Sequence, residues 1–164
     1  MKGKSMAGAI GMTAVWLIIT GTVLYAFDPA HVQQLKSTKQ CEGCDLNGAD
    51  LSELFLRWAN PSRSNLSNAN LSRAKMFQAD LSNGNLSKAN LSWAFLSQAN
   101  LSRSNLNNAN LSNANLSRAD LRGANLAGAD LRHADLSKAD LREAIWTDGR
   151  KCNLHSIGKC YKGK

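Results

Sequence analysis

Between residues 44 and 148 the apolar positions recur every fifth residue. The series runs Leu46, Leu51, Leu56, Pro61, Leu66, Leu71, Met76, Leu81, then leucine at each fifth position through Leu141, and closes at Trp146. Across these 21 pentads Pro61 and Met76 are the two internal departures. Two residues before each centre stands a small residue: Ala49, Ala59, Ser64, Ala69, Ala74, Ala79, Gly84, Ala89 and so on to Ala144, with Leu54 the large exception. An α-helix advances about 100° per residue, so side chains five apart would spiral around it instead of forming a stripe. In a straight strand side chains alternate faces, so an odd period would send Leu111 and Leu116 to opposite sides. The period makes sense if the chain bends after every pentad, so that each short side of a polygonal coil points one leucine at a common axis. That is a solenoid, and a second inward position limited to about a methyl group implies a tight turn beside a narrow core.

These residues resemble the pentapeptide-repeat family, whose pattern is A(D/N)LXX, and the resemblance covers about residues 44–148. It implies an all-β, right-handed quadrilateral parallel β-helix with four pentads per coil and about five coils, a rod on the order of 25 Å long at roughly 4.8 Å per strand. Each coil buries its interior only against its neighbours, so the ends need caps. Before the repeat, "FDPAHVQQLKSTKQC" offers Asp28 as N-cap, Pro29 at the first helical position, and Val32 and Leu35 three apart on one face, which predicts a short capping helix. After it, Trp146 and "DGRKCNLHSIGKC" read as a turn-rich closing segment. The expected organisation is a targeting or anchoring segment (1–27), a linker with the capping helix (28–43), the β-helix (44–148) and a basic C-terminal cap (149–164). Leu46, at the end of the rod, is expected to be held less firmly than Leu96 and Leu101 in its middle.

Lys2 and Lys4 precede an uncharged stretch from Ser5 to Phe27. Two uses compete: a cleaved signal peptide, with Ala26 as the cleavage residue, or a retained transmembrane anchor over residues 5–27. Either exports the repeat, to the periplasm or beyond the cell.

Four cysteines fall into two close pairs, Cys41 with Cys44 and Cys152 with Cys160, each in a presumed cap. Outside the cytosol such thiols pair, and "CEGCDL" matches the CxxCDL that exported members of the family carry at the first repeat. The expectation is two structural disulfides, one per cap. A redox-active CxxC and free thiols are the alternatives; a shared zinc site fails because about five coils separate the pairs.

Charge changes the picture little. The formal +8 divides as +2 from Lys2 and Lys4, zero over 28–43, +1 over 44–149 and +5 over 150–164. Some family members bind DNA gyrase by resembling DNA, which needs a strongly negative rod. Here residues 57–118 hold seven basic side chains and only Asp80, so a DNA-mimicking, gyrase-protecting role is disfavoured, as is DNA binding. The basic tail suits weak contact with anionic membrane or an envelope polymer.

Catalytic signals are missing. His31, His133 and His155 are scattered, and no nucleophile elbow, phosphate loop or cofactor fingerprint is present. Asp120 and Asp140 should stack one coil apart, with Arg122 and Arg142 interleaved as an exposed charge lattice. No metal or cofactor is implied. The local departures from the pentad rule sit on one face, in "LFLRW" (54–58), "AKMFQ" (74–78) and "AFLSQ" (94–98), pentads twenty residues apart. Phe55, Phe77 and Phe95, with Arg57 and Lys75 between them and Trp58 and Trp93 at the corners, have the composition of an interaction surface. The alternative is that residues 28–43 fold back over them. The expected function is a non-enzymatic, exported binding or scaffold module in the bacterial envelope, with a protein partner or a second copy on this face; a structural spacer and an extracytoplasmic toxin or immunity factor are the competing classes.

Overall fold

The computed structural model describes residues 18–19, 22–23 and 27–161. Ile18–Ile19 (β1) and Thr22–Val23 (β2) pair antiparallel; apart from these and Phe27, the segment expected to serve as signal peptide or anchor lies outside the described residues. Among the described residues no helix is long and apolar enough to cross a membrane.

From residue 40 onward the backbone bonds to itself twenty residues later. Parallel bridges join Gln40 to Asn60, Asp45 to Asn65, Phe55 to Lys75 and Lys75 to Phe95, and continue to Asn125 with Ile145. From Leu46 to Leu126 the N–H of each central leucine donates to the carbonyl nineteen residues ahead, as Leu96 does to Asn115 at 2.8 Å, and the next coil donates back, as Asn115 does to Ala94 at 2.9 Å. Four pentads therefore make one coil.

The bend after each pentad is a hydrogen-bonded turn. Its first residue is the leucine, whose carbonyl accepts the N–H three residues on, as in Ala99 to Leu96 at 3.0 Å. Its third residue is left-handed, with φ between 55° and 64° at every non-glycine position from Glu53 to Glu143 that fills it. This is the geometry a type II turn requires, and it disfavours most L side chains. Gly43, Gly48, Gly123 and Gly128 relieve it outright, and Asn68, Asn83, Asn108 and Asn113 tolerate it better than most.

Inside, the leucines and alanines from Leu46 to Leu126, apart from the half-buried Leu54, are at most a few per cent exposed and form one cluster. At the N-terminal end α1 (Pro29–Thr38) closes it. Asp28 Oδ1 accepts the Ala30 N–H at 2.8 Å, Pro29 occupies the first turn, and Lys39 at φ 62 ends the helix by donating to Leu35 O. Leu35 is fully buried, and the N–H of Asp45 donates to His31 Nδ1 at 3.1 Å, tying helix to coil. Cys41 and Cys44 are joined by a disulfide beneath the helix, where Ser64 Oγ bridges Cys41 O and the Cys44 N–H.

At the other end the chain reverses. Ile157 and Lys151 pair antiparallel to Asp140 and Ile145, Leu141 donates to Ser156 O, Cys152 to Ala144 O, and Cys152–Cys160 closes the segment. This cap covers only part of the last coil. Leu131, Ala134 and Leu136 stay half-buried.

The expectation that Leu46 is the loose end is thus corrected: it is 0% exposed because α1 covers it, and the incompletely covered leucines are at the C-terminal end. Leu96→Ala, Leu101→Ala and Leu46→Ala should each cost about 2–5 kcal/mol in urea unfolding, and Leu136→Ala distinctly less. Cys41 and Cys44 are buried whereas Cys160 is half-exposed. Under graded reduction with alkylation, mass mapping should therefore find Cys152 and Cys160 labelled before Cys41 and Cys44.

Candidate functional site

The residue before each leucine does a local job. Where it is Asn or Asp, its Oδ1 accepts the backbone N–H two residues on, as Asn65 does from Ser67, Asn90 from Ser92 and Asp120 from Arg122. These Asx-turns brace the corner. The same side chains bond along the rod: Asn65 Nδ2 donates to Asp45, Asn85 to Asn65 and Asn105 to Asn85 at 3.1–3.4 Å. A parallel ladder runs from Asn110 through Asn90 and Asn70 to Asp50.

One face breaks this rule in three successive coils. Where Asn or Asp would stand, the column reads Phe55, Lys75, Phe95, bridged rung to rung. None of these side chains can accept the N–H of Arg57, Phe77 or Ser97, so three corner braces are given up. In exchange the column carries a cation between rings, with Lys75 Nζ 3.8 Å from the Phe55 centroid. On the far side of the same face Arg57 lies 4.0 Å from the Trp58 ring and 5.0 Å from Phe77, and Trp58 Nε1 donates to Gln78 Oε1, which begins a short amide ladder to Gln98.

Phe55, Trp58, Trp93 and Phe95 are 68%, 60%, 56% and 50% exposed. Residues 28–43 close the end of the coil and leave this face open, which answers the fold-back alternative. The three phenylalanines do not form one column. Phe55 and Phe95 stand before their leucines, whereas Phe77 follows Met76, lies in the Arg57 row and is half-buried. Glu53, Phe55, Arg73, Lys75, Trp93 and Phe95 line an open groove of about 530 Å³.

The remaining candidates are structural. Arg122 bonds Asp120 at 2.6 Å and reaches Asp140 at 3.7 Å, while Arg142 pairs with Asp140, so both carboxylates are engaged. His31 accepts a backbone N–H, and His133 and His155 are exposed and apart. Among the described residues no group of His, Cys, Asp and Glu could hold a metal ion, and no buried polar side-chain atom lacks a partner.

The lattice has a pH signature. Hydrogen bonds from the Arg132 guanidinium, then from the Arg132 backbone N–H, pull the Asp130 carboxyl down to about 2, and Arg142 lowers Asp140 likewise. Because the folded carboxylates titrate below their unfolded range, their contribution to stability is present above that range and is lost as pH falls through it toward 2. Carboxyl-carbon NMR should give Asp130 a midpoint near 2, moving upward in Arg132→Ala.

The family model described as pentapeptide repeats matches eight copies, over residues 44–83, 84–123 and 109–145. No curated protein matches. Among solved structures, the pentapeptide-repeat protein Rfr23 from the cyanobacterium Cyanothece 51142 is 31% identical, covering 71% of this chain and 97% of its own, with a TM-score of 0.39. HetL from the cyanobacterium Nostoc sp. strain PCC 7120, involved in heterocyst differentiation regulation, is 35% identical over 68% of this chain and 63% of its own (TM-score 0.32). QnrB1, a plasmid-mediated fluoroquinolone resistance protein, superposes with a TM-score of 0.58 at 18% identity over 63% of this chain and 55% of its own, a likeness of fold alone. The chain thus spans less than two thirds of the last two.

Proposed function

The chain belongs to the pentapeptide-repeat family and is a right-handed β-helix solenoid, and from that premise we propose that it is a non-enzymatic binding module of an extracytoplasmic compartment. Its interaction face is built on Phe55, Arg57, Trp58, Lys75, Phe77, Trp93 and Phe95, and its partner is a protein. The observation that carries this reading is the loss of the Asx brace at positions 55, 75 and 95 in favour of two exposed rings with a lysine between them. Elsewhere the column keeps Asn or Asp, as at Asn115 and Asp135 on the same face. A scaffold under no demand but stability has no reason to replace a corner hydrogen bond, worth about 0.5–1.5 kcal/mol, by a solvated phenyl ring. Aromatic and arginine side chains are also the types enriched at the centres of protein interfaces.

Two disulfides fit an oxidising compartment. In this reading residues 1–27 deliver the chain by the export route, as signal peptide or anchor. Residues 28–43 and 149–164 close the ends, and the quadrilateral coils of 44–148 hold the face rigid. The near-neutral rod argues against DNA mimicry, so the resistance activity named for QnrB1 is not carried over.

The test is the triple variant Phe55→Asn, Phe77→Ser, Phe95→Asn, which restores the family pattern. Recovered Asx bonds at positions 55 and 95 offset the two lost cation–π contacts, Lys75 on Phe55 and Arg57 on Phe77, worth about 0.5–1 kcal/mol each, so its unfolding transition should lie within a few degrees of the parent. Cross-linking and pull-down from envelope fractions should lose the partner. An unfolded variant, or one with undiminished capture, would sink the proposal.

A further inference from the structure

We infer that the groove between Phe55 and Phe95 receives an acidic segment of a partner protein, one apolar side chain seated between the two rings with a neighbouring carboxylate on Lys75 and Arg73. The inference rests on the binding role proposed for this face and names what the face would select.

Charge is the first argument. Elsewhere on the rod a basic residue that directly follows the central leucine is paired within the chain: Arg122, Arg132 and Arg142 each bond the aspartate two residues before them, as Arg150 does in the cap, and Arg63 pairs with Glu42 and Lys151 with Glu143, whereas the corner residues Lys88, Arg103, Arg118 and Lys138 make no ion pair among the described residues. Here the pattern fails, because the aspartate position holds Phe or Lys. Lys75 and Arg57 rest on aromatic rings and make no ion pair among the described residues. Arg73 meets only Glu53, at 3.6 Å with both side chains about two-thirds exposed, a contact that water screens heavily. Along the adjoining corner Trp58, Gln78 and Gln98 give way to Arg118 and Lys138, extending the positive field down the rod. Among the described residues no carboxylate pairs with Lys75 or Arg57, which leaves both open to one supplied by a partner.

Shape is the second. Strands in a sheet lie roughly 4.8 Å apart, so Phe55 and Phe95, two rungs apart, stand about 9.6 Å from each other. The Lys75 rung lies between them, with its ammonium turned onto Phe55. One side chain entering over Lys75 would meet a ring on each side, and the ammonium could exchange the ring for a carboxylate while staying at the same rung. The groove's volume of about 530 Å³ falls within the range of clefts that bury a ligand. Glu53 and Arg73 stand at its corner, beside Trp93.

The same charge argument disfavours a second copy. A two-fold dimer through this face would set Arg57, Arg73 and Lys75 against their own equivalents, with Glu53 as the nearest acid, and like charges brought together suppress such pairing.

Selection of a phage-displayed random peptide library on the full chain tests this. Enriched peptides should carry Phe, Trp, Leu or Met within two positions of Asp or Glu. A synthetic peptide of that consensus should shift tryptophan emission through Trp93, and added salt should weaken its binding. Lys75→Glu, at an exposed site, should weaken it roughly tenfold or more, Lys75→Gln by less, and Lys88→Glu on another corner should leave it unchanged. A neutral or basic consensus, no enrichment at all, or binding indifferent to Lys75→Glu would overturn the inference. So would concentration-dependent dimerisation abolished by Lys75→Glu, or binding to anionic phosphatidylglycerol vesicles in place of peptides. If these arms fail while the triple phenylalanine variant still loses its envelope partner, the acidic segment is refuted and the interface role stands.

Discussion

Every other feature of this molecule depends on the backbone ladder between coils. From Leu46 to Leu126 the N–H of each central leucine reaches the carbonyl nineteen residues ahead, at 2.7–2.9 Å, and that reach is met only if four pentads close one coil. A chain that keeps its period therefore places residues twenty apart on top of one another, and single side chains become columns. Leucine packs on leucine and asparagine bonds asparagine. A change at one position is felt by the rungs above and below it.

The ladder carries a local cost. Each corner puts a residue in the left-handed region, mostly without glycine to relieve it: arginine, lysine, tryptophan, glutamine and glutamate all adopt φ near +58° there. The small residue that follows, the carbonyl-to-N–H turn bond and the Asx brace together over-determine the corner. This explains why asparagine and aspartate fill the position before leucine, where they hold the bend and need no chemistry. Asp120 and Asp140 do the same, each also pairing with the arginine two residues on, Arg122 and Arg142.

Against so regular a background, a column of Phe55, Lys75 and Phe95 is informative. The rings do not improve the core, since they stand in solvent, and they remove a brace from corners that use it elsewhere. The rigidity of the ladder then turns them into a face with fixed spacing, with cations held on ring surfaces and free of internal carboxylates. Scaffold and proposed site are separable here: four faces share one core rule, and one face over three coils departs from the surface rule.

The five-residue period, the inward leucine and small residue, the two end segments and the pairing of cysteines by proximity could be read from the sequence alone. All of these follow from short-range pattern, because a repeat writes its own packing into each unit. The left-handed third residue of the turn was hidden in a position that tolerates many types, and its glycine and asparagine content was the only trace. Three matters needed the tertiary structure. Leu46 is sealed while Leu131 and Leu136 are not, because α1 lies over its coil whereas the C-terminal segment turns back along only part of the last one. Phe77 falls in a different row from Phe55 and Phe95, because one step along a pentad crosses from one side of the leucine to the other. The aromatic face stays open because residues 28–43 spend their apolar side chains on the end of the rod, a choice set by long-range packing that no local pattern encodes.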